Sequence, residues 1–237
     1  MTNPSLNVKT NYTYIAGIAY VLIIILSLIP SSISDIGSIL KAEDAAKNFI
    51  GHEEGMYRIG TAVEFLMYMV VMVLSWALYI ILKPVNKNLA MLALIFRFGE
   101  AILGFVMILL YLMTLMFLDG AEYLQVFEPE QLQALARFFL ILTGAGYYIL
   151  LPVMGVGGIL FCYLFYISNY IPRFLANWGI ITYSTMVAYG FLNIILQNAP
   201  RELMYAMAPG ALFEVSIGLW LFFKGVSVNQ KKTASTE

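Results

Sequence analysis

Two uncharged apolar runs, Tyr12 to Pro30 and Phe174 to Asn198, decide what this chain can fold into. Each approaches or exceeds the ~20 residues that a helix needs to cross a bilayer core. A soluble core does not require charge-free stretches of that length. Composition agrees, because 61% of the 237 residues are hydrophobic and only 11% are charged, against roughly 25% charged in soluble domains. Within lipid the backbone must satisfy its own hydrogen bonds, which makes such runs helical. The expected fold is all-α, a polytopic transmembrane helical bundle forming a single membrane domain over residues 1–237.

Hydropathy and helix breakers place about six spans, near Tyr12 to Pro30, Tyr57 to Leu82, Leu89 to Phe117, Leu132 to Ile167, Phe174 to Gln197 and Pro209 to Phe223. The fourth is too long for one perpendicular crossing. Leu151-Pro152 leaves no room for a reversal, so one helix kinked at Pro152 is expected rather than two spans. The last span is short, and Leu203 to Ala208 is expected to enter the membrane as a partial turn. Between spans one and two, Ser31 to Gly55 sets Ile36, Ile39, Leu40, Phe49 and Ile50 among charges, as an interfacial helix would. The tail Asn229 to Glu237 is polar and expected to be disordered. Ser31-Ser32-Ile33-Ser34-Asp35 lacks a small-x-small cleavage pattern, so the first run reads as a retained span and not a signal peptide.

Lys and Arg orient the bundle. With the N-terminus cytoplasmic, Lys9, Lys83, Lys87, Arg173, Lys224, Lys231 and Lys232 fall inside, against Lys41, Lys47 and Arg201 in outer loops. Both termini are then expected in the cytoplasm and the protein in the cell membrane, with an acidic outer face. A net charge of −1 supplies no basic surface, which argues against nucleic acid as a partner. Membrane lipid is the expected environment.

The informative residues are charges inside spans: Glu64, Arg97, Glu100, Arg137 and Glu214, with Arg58 near a rim. Each costs about 3 kcal/mol near a helix centre on insertion scales, so they should face the bundle interior. At ~1.5 Å of rise per residue they converge on the middle and outer half of the bundle. Arg97 and Glu100 are three residues apart and share one helix face. Polar residues extend these faces: Thr61, Glu64, Tyr68 and Ser75 in span two, Thr182, Thr185, Tyr189, Asn193 and Gln197 in span five, and Arg137, Gly144 and Tyr148 in span four. In span six Gly210, Glu214 and Gly218 recur every four residues, leaving room beside a carboxylate for another helix. Two readings fit: a closed ion-pair network that fixes helix register, or a polar cavity that holds a solute or exchanges a proton.

Other chemistry is poorly supported. His52 is the only histidine and stands in a loop, which excludes a zinc site built on two or three histidines and, within the membrane, a nucleophilic triad. Cys162 is the only cysteine and has no partner within the chain. Gly155-Val156-Gly157-Gly158 lies in an apolar helix with no preceding strand or adjacent Lys, so it reads as close helix packing and not a phosphate loop. No cofactor or metal is implied.

Several segments, in order, resemble a known family: Ile15-Ala16-Gly17-Ile18-Ala19-Tyr20, Tyr57-Arg58-Ile59-Gly60 with Glu64 and Tyr68, and Leu82-Lys83-Pro84-Val85-Asn86-Lys87. Arg97-Phe98-Gly99-Glu100-Ala101, Ile171-Pro172-Arg173-Phe174-Leu175 and Phe213-Glu214 with Leu219-Trp220-Leu221 and Lys224-Gly225 continue the pattern. Together they resemble the bacterial membrane family known as domain of unknown function 4386. The resemblance implies all spans and brings no reaction with it. Tyr14 stands where that family has Arg, and Ala176-Asn177 delay the glycine after the Pro-Arg turn.

The leading expectation is a non-enzymatic protein that binds or translocates an unidentified small molecule, with or without a proton, in a pocket of spans two to six. Glu64, Glu100 and Glu214 would carry ligand or proton, Arg97 and Arg137 would set their charge, and Tyr68, Tyr148, Tyr189 and Asn193 would supply hydrogen bonds. The alternatives are an intramembrane enzyme using paired carboxylates on a lipid-like substrate, and an accessory subunit.

Overall fold

The computed structural model describes residues 6–8, 10–33, 54–196, 205 and 207–228. The elements are β1 (Leu6–Val8), α1 (Asn11–Ile33), α2 (Glu54–Leu82), α3 (Lys87–Met116), a 3-10 turn at Glu122–Leu124, α4 (Pro129–Ser168), α5 (Arg173–Ile195), α6 (Ala208–Phe223) and β2 (Val226–Val228). The first five helices are each long and apolar enough to cross a membrane, whereas α6 has 16 residues, ~24 Å of helix. The expected interfacial helix, His52, Gln197, most of the turn before Ala208 and the tail from Asn229 lie outside the described residues.

Local chemistry explains the boundaries. Asn86 caps α3, its side chain accepting from Leu89 N at 3.0 Å, which satisfies an otherwise orphaned helix donor. Pro129 opens α4, where it has no N–H to lose, and Gln131 Oε1 accepts from Glu128 N at 3.1 Å. Asn169 ends α4 in the left-handed region at φ 55°, and Arg173 Nε donates to its side chain at 2.7 Å. After α6, Gly225 at φ 70° turns the chain into β2, a conformation glycine adopts without strain. The helices run through Pro30 and Pro152. The expectation that α4 is one helix holds, and Pro152 packs beside Gly190 of α5.

Each helix packs on its sequence neighbours, and α6 closes the ring against α1. The closure depends on two glycines. A Cβ on Gly17 would sit 2.7 Å from Phe222 N and 2.8 Å from Gly218 O, so the α1 and α6 backbones meet as only small residues allow. The up-and-down path gathers the 83–86 turn, the 169–172 turn and the chain ends at one end of the ring. There β1 pairs antiparallel with β2, Asn7 opposite Ser227, and Ser227 N donates to Tyr170 O at 2.9 Å. Both described ends of the chain therefore lie on the same side.

Packing is uneven along the bundle. The largest buried cluster fills the half near this clasp, with Leu78, Leu82, Phe161, Phe165, Leu175 and Leu221 fully or almost fully enclosed. Toward the other end lie smaller clusters, around Tyr57 with Leu115 and around Tyr68 with Ile108, and the largest cluster extends there along α5 to Met186 and Tyr189. Outside, residues such as Ile95, Leu109, Phe174, Ile181 and Leu212 are exposed, the apolar surface a lipid-facing helix needs. The chain is a multi-pass membrane bundle.

Candidate functional site

The loosely packed half encloses a cavity of about 490 Å³ to which all six helices contribute. Each wall is a helical face. From α2 come Glu64, Met67, Tyr68 and Val71, from α3 Arg97, Glu100 and Met107, from α4 Tyr147, Leu150 and Met154, from α5 Met186, and from α6 Ala211 and Glu214 with Met207 just before it. α1 adds Ile23, Ile24, Ser27 and Pro30. Arg97, Glu100, Tyr68 and Val71 are buried at the floor, while Ser27 and Ala211 stay exposed. The cavity thus lies in the half away from the β clasp.

Arg97 is the one cation among its lining residues. Its Nη1 lies 2.7 Å from Glu100 Oε2 within one turn of α3, with the two side chains 5% and 4% exposed. The contact is a close charge pair sealed from solvent. The arginine stem crosses α4 at Gly157, where a Cβ would meet its Cγ at 2.9 Å. The next glycine does similar service. At Gly158 a Cβ would come 2.5 Å from the ring of Tyr183, and the Tyr183 hydroxyl donates to Glu214 Oε1 at 3.0 Å. The glycine-rich stretch of α4 is a packing feature, as expected, and both its adjacent glycines admit side chains of the polar network. Arg97 lies in electrostatic range of Glu214, Tyr183 and Tyr20 as well.

Glu64, Tyr68, Arg97, Glu100 and Glu214 are brought together around one space. Other candidates lie elsewhere. Arg137 is exposed near the start of α4 and lines a separate depression with Glu130 and Gln133, so it does not set the charge of the cavity. Arg58 is exposed on the first turns of α2. Tyr148 and Tyr189 pack edge to face with ring centroids 6.1 Å apart, and Asn193 Nδ2 donates to Tyr189 O at 2.8 Å. The α5 polar stripe largely satisfies its own backbone, since Thr185 Oγ1 also donates to Thr182 O at 2.7 Å.

Three kinds of residue escaped the sequence reading: Tyr183, Tyr147 and the methionines Met67, Met107, Met154, Met186 and Met207. A signal existed for most of the methionines. Met67 follows Glu64 by three residues, Met107 follows Glu100 by seven and Met207 precedes Glu214 by seven, spacings that share a helix face. Tyr183 had none, because its partner is on another helix.

Among the described residues no group of three or more His, Cys, Asp or Glu could hold a metal ion, and Cys162 is buried and free. No curated protein matches this chain, and no solved structure does. A family model matches residues 15–225, from the first helix to the glycine after the last, and so includes every charged residue of the cavity. The chain therefore belongs to the family described as Domain of unknown function (DUF4386).

Proposed function

We propose that this membrane protein binds or translocates a small solute in the cavity, without covalent chemistry. The supporting observation is the space: three carboxylates and one guanidinium surround about 490 Å³, within the usual range of ligand pockets. A network serving only to fix register would pack its charges against each other. Glu100 with Arg97 and Glu214 with Tyr183 do that in part, and Glu64 does not. Catalysis by paired carboxylates is less favoured, since two of the three are engaged by protein groups.

The orientation follows from charge. Lys83, Lys87, Arg173 and Lys224 lie at the clasp end, against Arg58 and Arg137 among the described residues of the other, an excess that supports cytoplasmic termini and a cavity facing outward. The test is reactivity of single cysteines in a Cys162→Ala background, with purified protein in lipid nanodiscs. A charged methanethiosulfonate should modify Met186→Cys on the cavity wall. It should leave Phe165→Cys, in the dense half, unmodified. Equal inertness of both would mean a closed network and sink the reading.

A further inference from the structure

The three carboxylates of the cavity are not equivalent. Glu100 is 2.7 Å from Arg97 and Glu214 accepts from Tyr183, whereas the half-buried Glu64 has neither an ion pair nor a hydrogen bond among the described residues. Glu64 and Glu100 both line the cavity, from α2 and α3. A second observation comes from the floor. Glu100 Oε2 is enclosed, and its partner is Arg97 Nη1 at 2.7 Å, which leaves lone pairs of the carboxylate for a second donor.

Both observations ask for the same occupant. A carboxylate held away from bulk water is stabilised by a cation close to it, and a carboxylate oxygen with unused lone pairs is satisfied by an N–H donor. A solute anion would meet three carboxylates against one guanidinium, a juxtaposition that rejects it. The remaining wall fixes the rest of the molecule. Met67, Met107, Met154, Met186 and Met207 face the space together with Leu150, and flexible thioethers adapt to apolar groups of varied shape.

We infer that the cavity takes a protonated amine with an apolar body, its ammonium group at Glu64 on the acidic wall and its hydrocarbon against the methionines. This rests on the cavity being a solute site, and names the class of solute. Glu64 is the specificity residue, because among the described residues no group answers its charge.

The test uses the full chain in nanodiscs and three probes that share a body: 4-phenylbutylamine, 4-phenylbutanol and 4-phenylbutanoate, measured by calorimetry against empty discs. The amine should bind at least about tenfold more tightly than the alcohol or the acid, a difference of about 1.4 kcal/mol. Glu64→Gln should weaken the amine by about tenfold or more and leave the alcohol unchanged, and Glu64→Asp should restore part of the difference. Equal binding of all three probes, or an amine affinity indifferent to Glu64→Gln, overturns the assignment while leaving a solute site standing. Saturable binding by none of them overturns the solute class, and the labelling of Met186→Cys then decides the cavity reading by itself. Should Glu64→Gln fail to fold, the three-probe ranking on the unsubstituted protein decides alone.

Discussion

Arg97 and Glu100 form a buried pair within one helical turn, the two side chains 5% and 4% exposed. Removing one partner from such a pair leaves a charge uncompensated, at a cost of about 3 to 5 kcal/mol, whereas replacing both by neutral groups of similar volume is often close to neutral. Arg97→Met should therefore destabilise the protein strongly in detergent-titrated unfolding. Arg97→Met combined with Glu100→Gln should recover most of the loss. If the double variant is as unstable as the single one, the arginine acts chiefly through its stem against Gly157 and not through charge.

The helices differ in how closely they approach one another, and glycine marks the difference. A Cβ on Gly17 would meet the backbone of α6 at 2.7 to 2.8 Å, whereas a Cβ on Gly144 in α4 would meet nothing within 4 Å. Backbone cannot swing away as a side chain can, so Gly17→Val should part α1 from α6 and cost 1 kcal/mol or more, roughly the scale of overpacking. Gly144→Ala should be neutral or stabilise by up to about 1 kcal/mol through helix propensity. Thermal unfolding of the two variants, each beside the parent, checks both signs. The closure at Gly17 also explains why a six-helix ring holds with a last helix of only 16 residues: backbone contact offsets its short length.

At the scale of the molecule, a dense half and a hollow half are stacked along the helix axes, and the described ends of the chain meet in a β clasp below the dense one. Orientation is testable in intact cells with an impermeant thiol reagent and the Cys162→Ala background. Glu122→Cys should be labelled, and Ser227→Cys, beside the clasp, should be protected until the membrane is opened; the reverse pattern would invert the bundle. Six helices, their order and most of their ends were legible in the chain, because a bilayer sets span length and Pro, Asn and Gly punctuate the turns locally. The charged faces of α2, α3 and α6 were legible too, since helical spacing alone aligns Glu64 with Tyr68 and Arg97 with Glu100. Tertiary structure decided the rest. Arg137 looked equivalent to Arg97, but only helix rotation and depth could separate the exposed residue from the buried one, and neither is encoded within a single helix. Tyr183 meets Glu214 across 31 residues of sequence, and whether three carboxylates enclose a space or only one another depends on how six rigid helices pack, a property of the ring and of none of its members.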